Sequence, residues 1–256
     1  MWAIEQAVKL YRSLAKARPE EFIPDLARSL SVFALSLYHT GRQQDALRLL
    51  EEAIELRRSF ATERPKSWAF ISDLASSLNI FAIYLYSLDR HQEALRAVKE
   101  TVKLRRSLVE TDPEKFNPDL ANSLILFAMC LSDIGHREEA LAAIEEAIWL
   151  CQSLSMVLPE IFGPTLEDSL VLFKLYLSDM IAYHRKAAPE KVVELRRSFA
   201  HAEKFNPVLV VWGYTRDDAV THVESKDNST PNRATFTLSL SRPTLTPSRE
   251  PALSAE

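Results

Sequence analysis

Glycine is the residue this chain uses most sparingly. Of 256 residues only 4 are glycine, where ordinary usage would supply about 18. Gly41, Gly135, Gly163 and Gly213 stand far apart. Every motif that needs paired glycines is therefore excluded by spacing alone: the dinucleotide fingerprint GxGxxG, the phosphate loop GxxxxGK[ST] and the nucleophile elbow GxSxG. A turn-rich β sandwich and a doubly wound α/β sheet are disfavoured for the same reason. Cysteine is scarcer still. Cys130 and Cys151 are the only two, too few for a disulfide framework or a thiolate zinc cage, and they read as small apolar core residues. The six histidines (39, 91, 136, 184, 201 and 222) contain no pair four apart, so HExxH is absent as well. Neither a metal nor a cofactor is expected.

Charge of one sign is also lacking. With 31 basic and 35 acidic residues the net charge is -4, which offers no electrostatic footprint for nucleic acid or an anionic membrane surface. The longest apolar run, Leu124 to Leu131, falls far short of the ~18 residues of a membrane span. The N-terminus mixes acids and bases along an amphipathic helix and is not a signal peptide. These observations point to a soluble chain in the cytoplasm.

What the chain has in abundance is internal repetition. Four segments align, beginning FIPDLARSLSVFALSLY at Phe22, FISDLASSLNIFAIYLY at Phe70, FNPDLANSLILFAMCLS at Phe116 and FGPTLEDSLVLFKLYLS at Phe162. Phe33, Phe81, Phe127 and Phe173 are spaced 48, 46 and 46 apart. Pro19, Pro65, Pro113 and Pro159 are spaced 46, 48 and 46, so the period is 46 with one two-residue insertion. A period of that size is the signature of a stacked repeat architecture.

Each unit reads as two helices. Asn117-Pro118-Asp119 predicts a helix start, and Pro24-Asp25, Ser72-Asp73 and Gly163-Pro164 take the same part in the other units. Leu30, Phe33, Ala34 and Leu37 then recur at the i, i+3, i+4, i+7 spacing of one helical face. The first helix is predicted to stop at Gly41, Asp89 or Gly135, residue types that tolerate a left-handed conformation. A longer second helix follows; in the third unit Ala140, Ile144, Ala147, Ile148, Cys151 and Leu154 share one face.

These residues resemble tetratricopeptide repeats. The small residue after the anchoring phenylalanine (Ala34, Ala82, Ala128) and the alanine twelve positions later (Ala46, Ala94, Ala140) let two helix axes approach closely. The extended second helix is similar to the long repeats of kinesin light chains and their fungal counterparts. The resemblance covers residues 1 to about 200 and implies an all-α, right-handed solenoid of helix-turn-helix repeats. The implied organisation is an orphan second helix at 1–18, repeats at 19–64, 65–112 and 113–158, a degenerate fourth repeat at 159–206, and a disordered Ser/Thr/Pro-rich tail at 207–256. In the fourth unit Lys174 replaces the small residue, Ile181 stands where Gly41 and Gly135 were, and Pro189 interrupts the second helix. Even so, Glu194 to Phe199 repeats Glu55 to Phe60 letter for letter.

The resemblance further implies a concave face, lined by the first helices, that binds an extended peptide or a partner helix. By register the groove residues are Arg28, Ser31, Leu35 and Tyr38 in the first unit. They are Ser76, Asn79, Ile83 and Tyr86 in the second, and Asn122, Ile125, Met129, Ser132 and Asp133 in the third. Asn79 and Asn122 can donate to and accept from a peptide backbone at once. Only Arg28 supplies an inward cation, which disfavours acidic C-terminal tails as ligands. Arg57-Arg58, Arg105-Arg106 and Arg196-Arg197 recur at the repeat spacing and are read as solvated residues offset by Glu51, Glu52 and Glu55 within a turn. His91 and His136 are read as turn polars, and Tyr84, Tyr86 and Trp68 as packing residues. The adjacent pairs Glu51-Glu52 and Glu145-Glu146 point about 100° apart on a helix and cannot work together as acid and base. No catalytic residue is expected. The function indicated is a non-catalytic protein-interaction scaffold; the alternative is a sensor or oligomerisation arm separated from a signalling (STAND-type) ATPase. Half of the first helix's apolar face (Ile4, Ala7, Val8, Tyr11, Leu14) has no partner in the repeat scheme, which implies either a piece of a longer array or self-association through that helix.

Overall fold

The structure, a computed structural model, describes residues 2–63 and 67–187, with side chains as far as His184. Among the described residues every element is a helix: α1 (Trp2–Ala17), α2 (Pro19–His39), α3 (Gln43–Glu63), α4 (Trp68–Ser87), α5 (His91–Val109), α6 (Pro113–Asp133), α7 (Arg137–Val157) and α8 (Pro159–Ala187). Each helix packs chiefly on its neighbours in the chain. The result is an all-α solenoid of helix-turn-helix repeats, with α2, α4, α6 and α8 as first helices and α1, α3, α5 and α7 as second helices. Pro189, the Glu194–Phe199 echo, Arg196-Arg197 and the expected tail at 207–256 lie outside the described residues.

The first helices begin earlier than the sequence suggests. Proline occupies the first turn of α2 and α6 and opens α8, while Pro24, Pro118 and Pro164 lie inside those helices. The expected starts at Pro24-Asp25, Ser72-Asp73, Asn117-Pro118-Asp119 and Gly163-Pro164 are therefore corrected by about one and a half turns. A proline five residues into a helix forfeits a single bond, the one to the carbonyl four residues back. Those carbonyls belong to Glu20, Glu114 and Glu160, residues on the exposed side of their helices. In α6 the cap is Asp112, whose carboxylate accepts from the Lys115 N–H at 3.2 Å.

The stops fall where expected. Gly41, Asp89 and Gly135 have φ of 80°, 58° and 85°. The N–H two residues beyond each cap then reaches back to the helix: Arg42 to the Leu37 carbonyl at 2.9 Å, Arg90 to Leu85 at 3.0 Å, His136 to Leu131 at 2.9 Å. This 6→1 bond is the Schellman arrangement, which needs a left-handed residue at the position before it. Where Ile181 replaces that residue, α8 runs on as one helix of 29 residues.

The core repeats with the sequence. Ala34, Ala82 and Ala128 are fully buried, as are Ala46, Ala94 and Ala140, which brings the paired axes together at the one point where neither helix carries bulk. Leu30, Leu78 and Leu124 fill one layer; Leu50, Val98 and Ile144 fill the next. Phe33, Phe81 and Phe127 hold equivalent half-buried positions, and Phe173 is buried. Lys174 is half-buried. By length and composition α4 and α7 also meet the measure of a membrane span, with mean hydropathy 1.4 and 1.3. This corrects the reading that no stretch is long enough. In the solenoid both helices are repeat members that bury one face against their neighbours.

Candidate functional site: the first-helix stripe and the joints between repeats

Positions five and two before each phenylalanine, and two and five after it, form one stripe along each first helix. The outer column of that stripe is polar: Arg28 and Asn122 are exposed and Ser76 is half-buried. Arg28 pairs with Asp25 at 3.5 Å on its own helix. The column two after the phenylalanine is apolar in every unit: Leu35 is 40% exposed, Ile83 half-buried, Met129 buried, and Leu175, which the sequence reading left out, 55% exposed. Ile125 also lies in the core, so neither it nor Met129 offers surface to a partner.

The remaining expected groove residues join one repeat to the next. Ser31 donates to the Ala27 carbonyl and accepts from Arg57 at 2.9 Å. Asn79 accepts from the Ser123 hydroxyl at 3.0 Å. Tyr38 stacks on Tyr84 of the next unit, with centroids 3.8 Å apart and planes at 12°, and its hydroxyl meets Ser87 Oγ at 2.5 Å. Tyr84 is buried; burial, then the neighbouring Tyr38, pushes its hydroxyl up to about 12. Burial first, and then a hydrogen bond to the Asp133 carboxylate, holds the Tyr86 hydroxyl protonated above the usual tyrosine range. His91 stands against the same carboxylate, its Nδ1 3.6 Å from Asp133 Oδ2 and its Nε2 3.5 Å from Asp89 Oδ1, and its ring contacts Tyr86 edge-on at 5.1 Å. Ser132 bonds to Tyr176 of the following first helix.

The arginine pairs divide, correcting their reading as solvated residues. Arg57 and Arg105 turn inward. Arg57 donates to Ser31 and to Ser77 of the next unit, and burial lowers its pKa from 12.5. Arg105 is 5% exposed and donates to the Asp119 carbonyl and Ser123 Oγ. In the third unit Cys151 holds that place, bonded to Ser169. Arg58 and Arg106 stay outside, where they reach across the joint to Glu100 at 3.0 Å and Glu146 at 2.6 Å, continuing a ladder begun by Arg12 and Glu52. Neighbours on a helix point about 100° apart, so adjacency lets one arginine face the joint while the other stays outside, and the packing of the next repeat decides which. Trp68 is exposed, with Lys115 Nζ 3.7 Å above its ring. Among the described residues no cluster of three or more His, Cys, Asp or Glu could hold a metal ion.

A family model described as tetratricopeptide repeat matches residues 26–59 and 74–114; one described as anaphase-promoting complex subunit 5 matches residues 109–155. The chain thus carries repeats of the tetratricopeptide type at residues 26–59 and 74–114. None of the curated proteins matches it. Among solved structures it is similar to BtubC (BKLC) from P. vanneervenii, at 15% identity over 93% of this chain and 96% of that one, with a TM-score of 0.47. It is similar to a Podospora anserina putative kinesin light chain with nearly identical TPR-like repeats, at 16% identity over 77% and 91%, TM-score 0.42. For MamA the values are 17%, 71% and 91%, TM-score 0.38. Tetratricopeptide repeats mediate protein–protein interaction, and proteins built from them are typically non-catalytic scaffolds.

Proposed function

We propose that this chain is a non-catalytic cytoplasmic scaffold whose first helices dock a peptide or an amphipathic helix of a partner protein. The observation that carries the reading is the accessible part of the apolar column, Leu35, Ile83 and Leu175, with Leu35 and Leu175 open at its two ends. Apolar anchors at a regular spacing, rimmed by Arg28, Ser76 and Asn122, suit a helix that presents a matching stripe. The net charge of -4 favours a protein partner over nucleic acid.

The test uses exposed positions, because Asn79, Tyr38 and Tyr86 also hold the joints between repeats. A pulldown with the full chain is compared with Leu35→Asp and Asn122→Ala variants whose circular dichroism and melting match the parent. Loss of the same recovered proteins in both variants supports docking on the stripe. Undiminished recovery by both removes it.

A further inference from the structure

The geometry points to a second binding surface, on the outer face of α7, whose occupant is α7 of a second copy of this chain. The repeats supply their own control. At three outward positions along the second helix and its C-terminal turn, units one and two carry Glu55 and Lys103, Thr62 and Glu110, Glu63 and Thr111. Unit three carries Trp149, Met156 and Val157, which are 65%, 87% and 77% exposed. From Ala147 to Leu158 there is no charged residue at all, and the outer ion-pair ladder stops because Gln152 stands where Arg58 and Arg106 stood.

The pattern of bulk along this stripe is self-complementary. Trp149 and Val157 lie four residues to either side of Ser153. Two α7 helices crossing antiparallel at Ser153 therefore set each Trp149 beside the partner's Val157, about 6 Å from the two-fold axis. The small residue at the crossing permits close approach. Its hydroxyl already donates to the Trp149 carbonyl at 3.1 Å, so covering it strands no donor. In a two-fold contact, residues near the axis face their own kind. In that arrangement unit one would set Glu55 beside the partner's Glu63, a like-charge contact that unit three avoids. With Leu158 and Ile161 alongside, the open apolar side chains amount to roughly 600 Å², close to the ~800 Å² per partner of a stable dimer.

The experiment is sedimentation velocity on the full chain across the micromolar range. The partner variant, Trp149→Glu/Met156→Glu/Val157→Thr, borrows at each position a residue that this protein carries in another unit. The parent is expected to dimerise with concentration, and the variant to dimerise about a hundredfold more weakly with unchanged helicity and melting. Should the triple variant misfold, Ser153→Cys under mild oxidation gives the reading instead: a covalent dimer supports the contact and its absence overturns it. A parent that stays monomeric throughout overturns the proposal. So does a dimer lost in Leu10→Glu, on the exposed face of α1, but kept in the triple variant, or a monomer that floats with neutral phosphatidylcholine vesicles through Trp149.

Discussion

Arg105 and Arg106 show how much one step along a helix decides. Arg105 is enclosed and makes bonds to two groups of the next first helix; Arg106 reaches one carboxylate across open surface. Replacing Arg105 with alanine removes the bonds and the packing of its stem, at an expected cost of about 2–3 kcal/mol. Arg106→Ala is expected to cost under about 1 kcal/mol. Urea midpoints of the two variants check the pair. The thiols carry a second prediction. Burial pushes Cys130 up to about 12 and Cys151 up to about 11. A thiol whose pKa is raised stays protonated, and unreactive, until the pH approaches that value. Neither is expected to react with Ellman's reagent at pH 8 in the folded protein, and both are expected to react promptly in guanidinium.

At the scale of the element, the turns between paired helices are set by one dihedral. A β-carbon added at Gly41 would meet no atom within 4 Å, so the cost of Gly41→Ala is conformational alone, about 1–2 kcal/mol. Asp89 pays the corresponding penalty already, and Asp89→Gly is expected to raise stability by up to about 1 kcal/mol. Opposite signs of the two shifts in thermal melting are the check. At the other end of a first helix, Asp112→Ala removes the only side-chain cap bond among the described first helices, with an expected loss of about 1 kcal/mol. The starts were the less legible ends. Each of three units offers two prolines five residues apart, and both are compatible with a helix start. Proline at the first position costs nothing, and proline in the second turn costs one bond, to the carbonyl of a residue on the exposed side of the helix, so both persist within a single helix.

Across the whole array, contacts run between adjacent helices and adjacent repeats, so a lesion should be felt locally. Leu50→Ala empties part of the α2–α3 core at about 2–5 kcal/mol. Hydrogen exchange is expected to rise in α1 to α4 while α7 and α8 keep their protection, as in a one-dimensional lattice of coupled units. A uniform rise along all eight described helices would show the array to unfold as one body.

Sequence alone determined the period, the helix pairing, the left-handed stops and the small residues at the close contacts. Each of these follows from a single chain's own backbone preference or from spacing along one helix. The division of the Arg-Arg pairs, the Tyr38–Tyr84 stack, the Ser123–Asn79 bond and the enclosure of Ile125 and Met129 were decided only by tertiary structure. Those features depend on the angle at which one repeat meets the next. That angle is the outcome of many small contacts made at once, and no window of residues contains it.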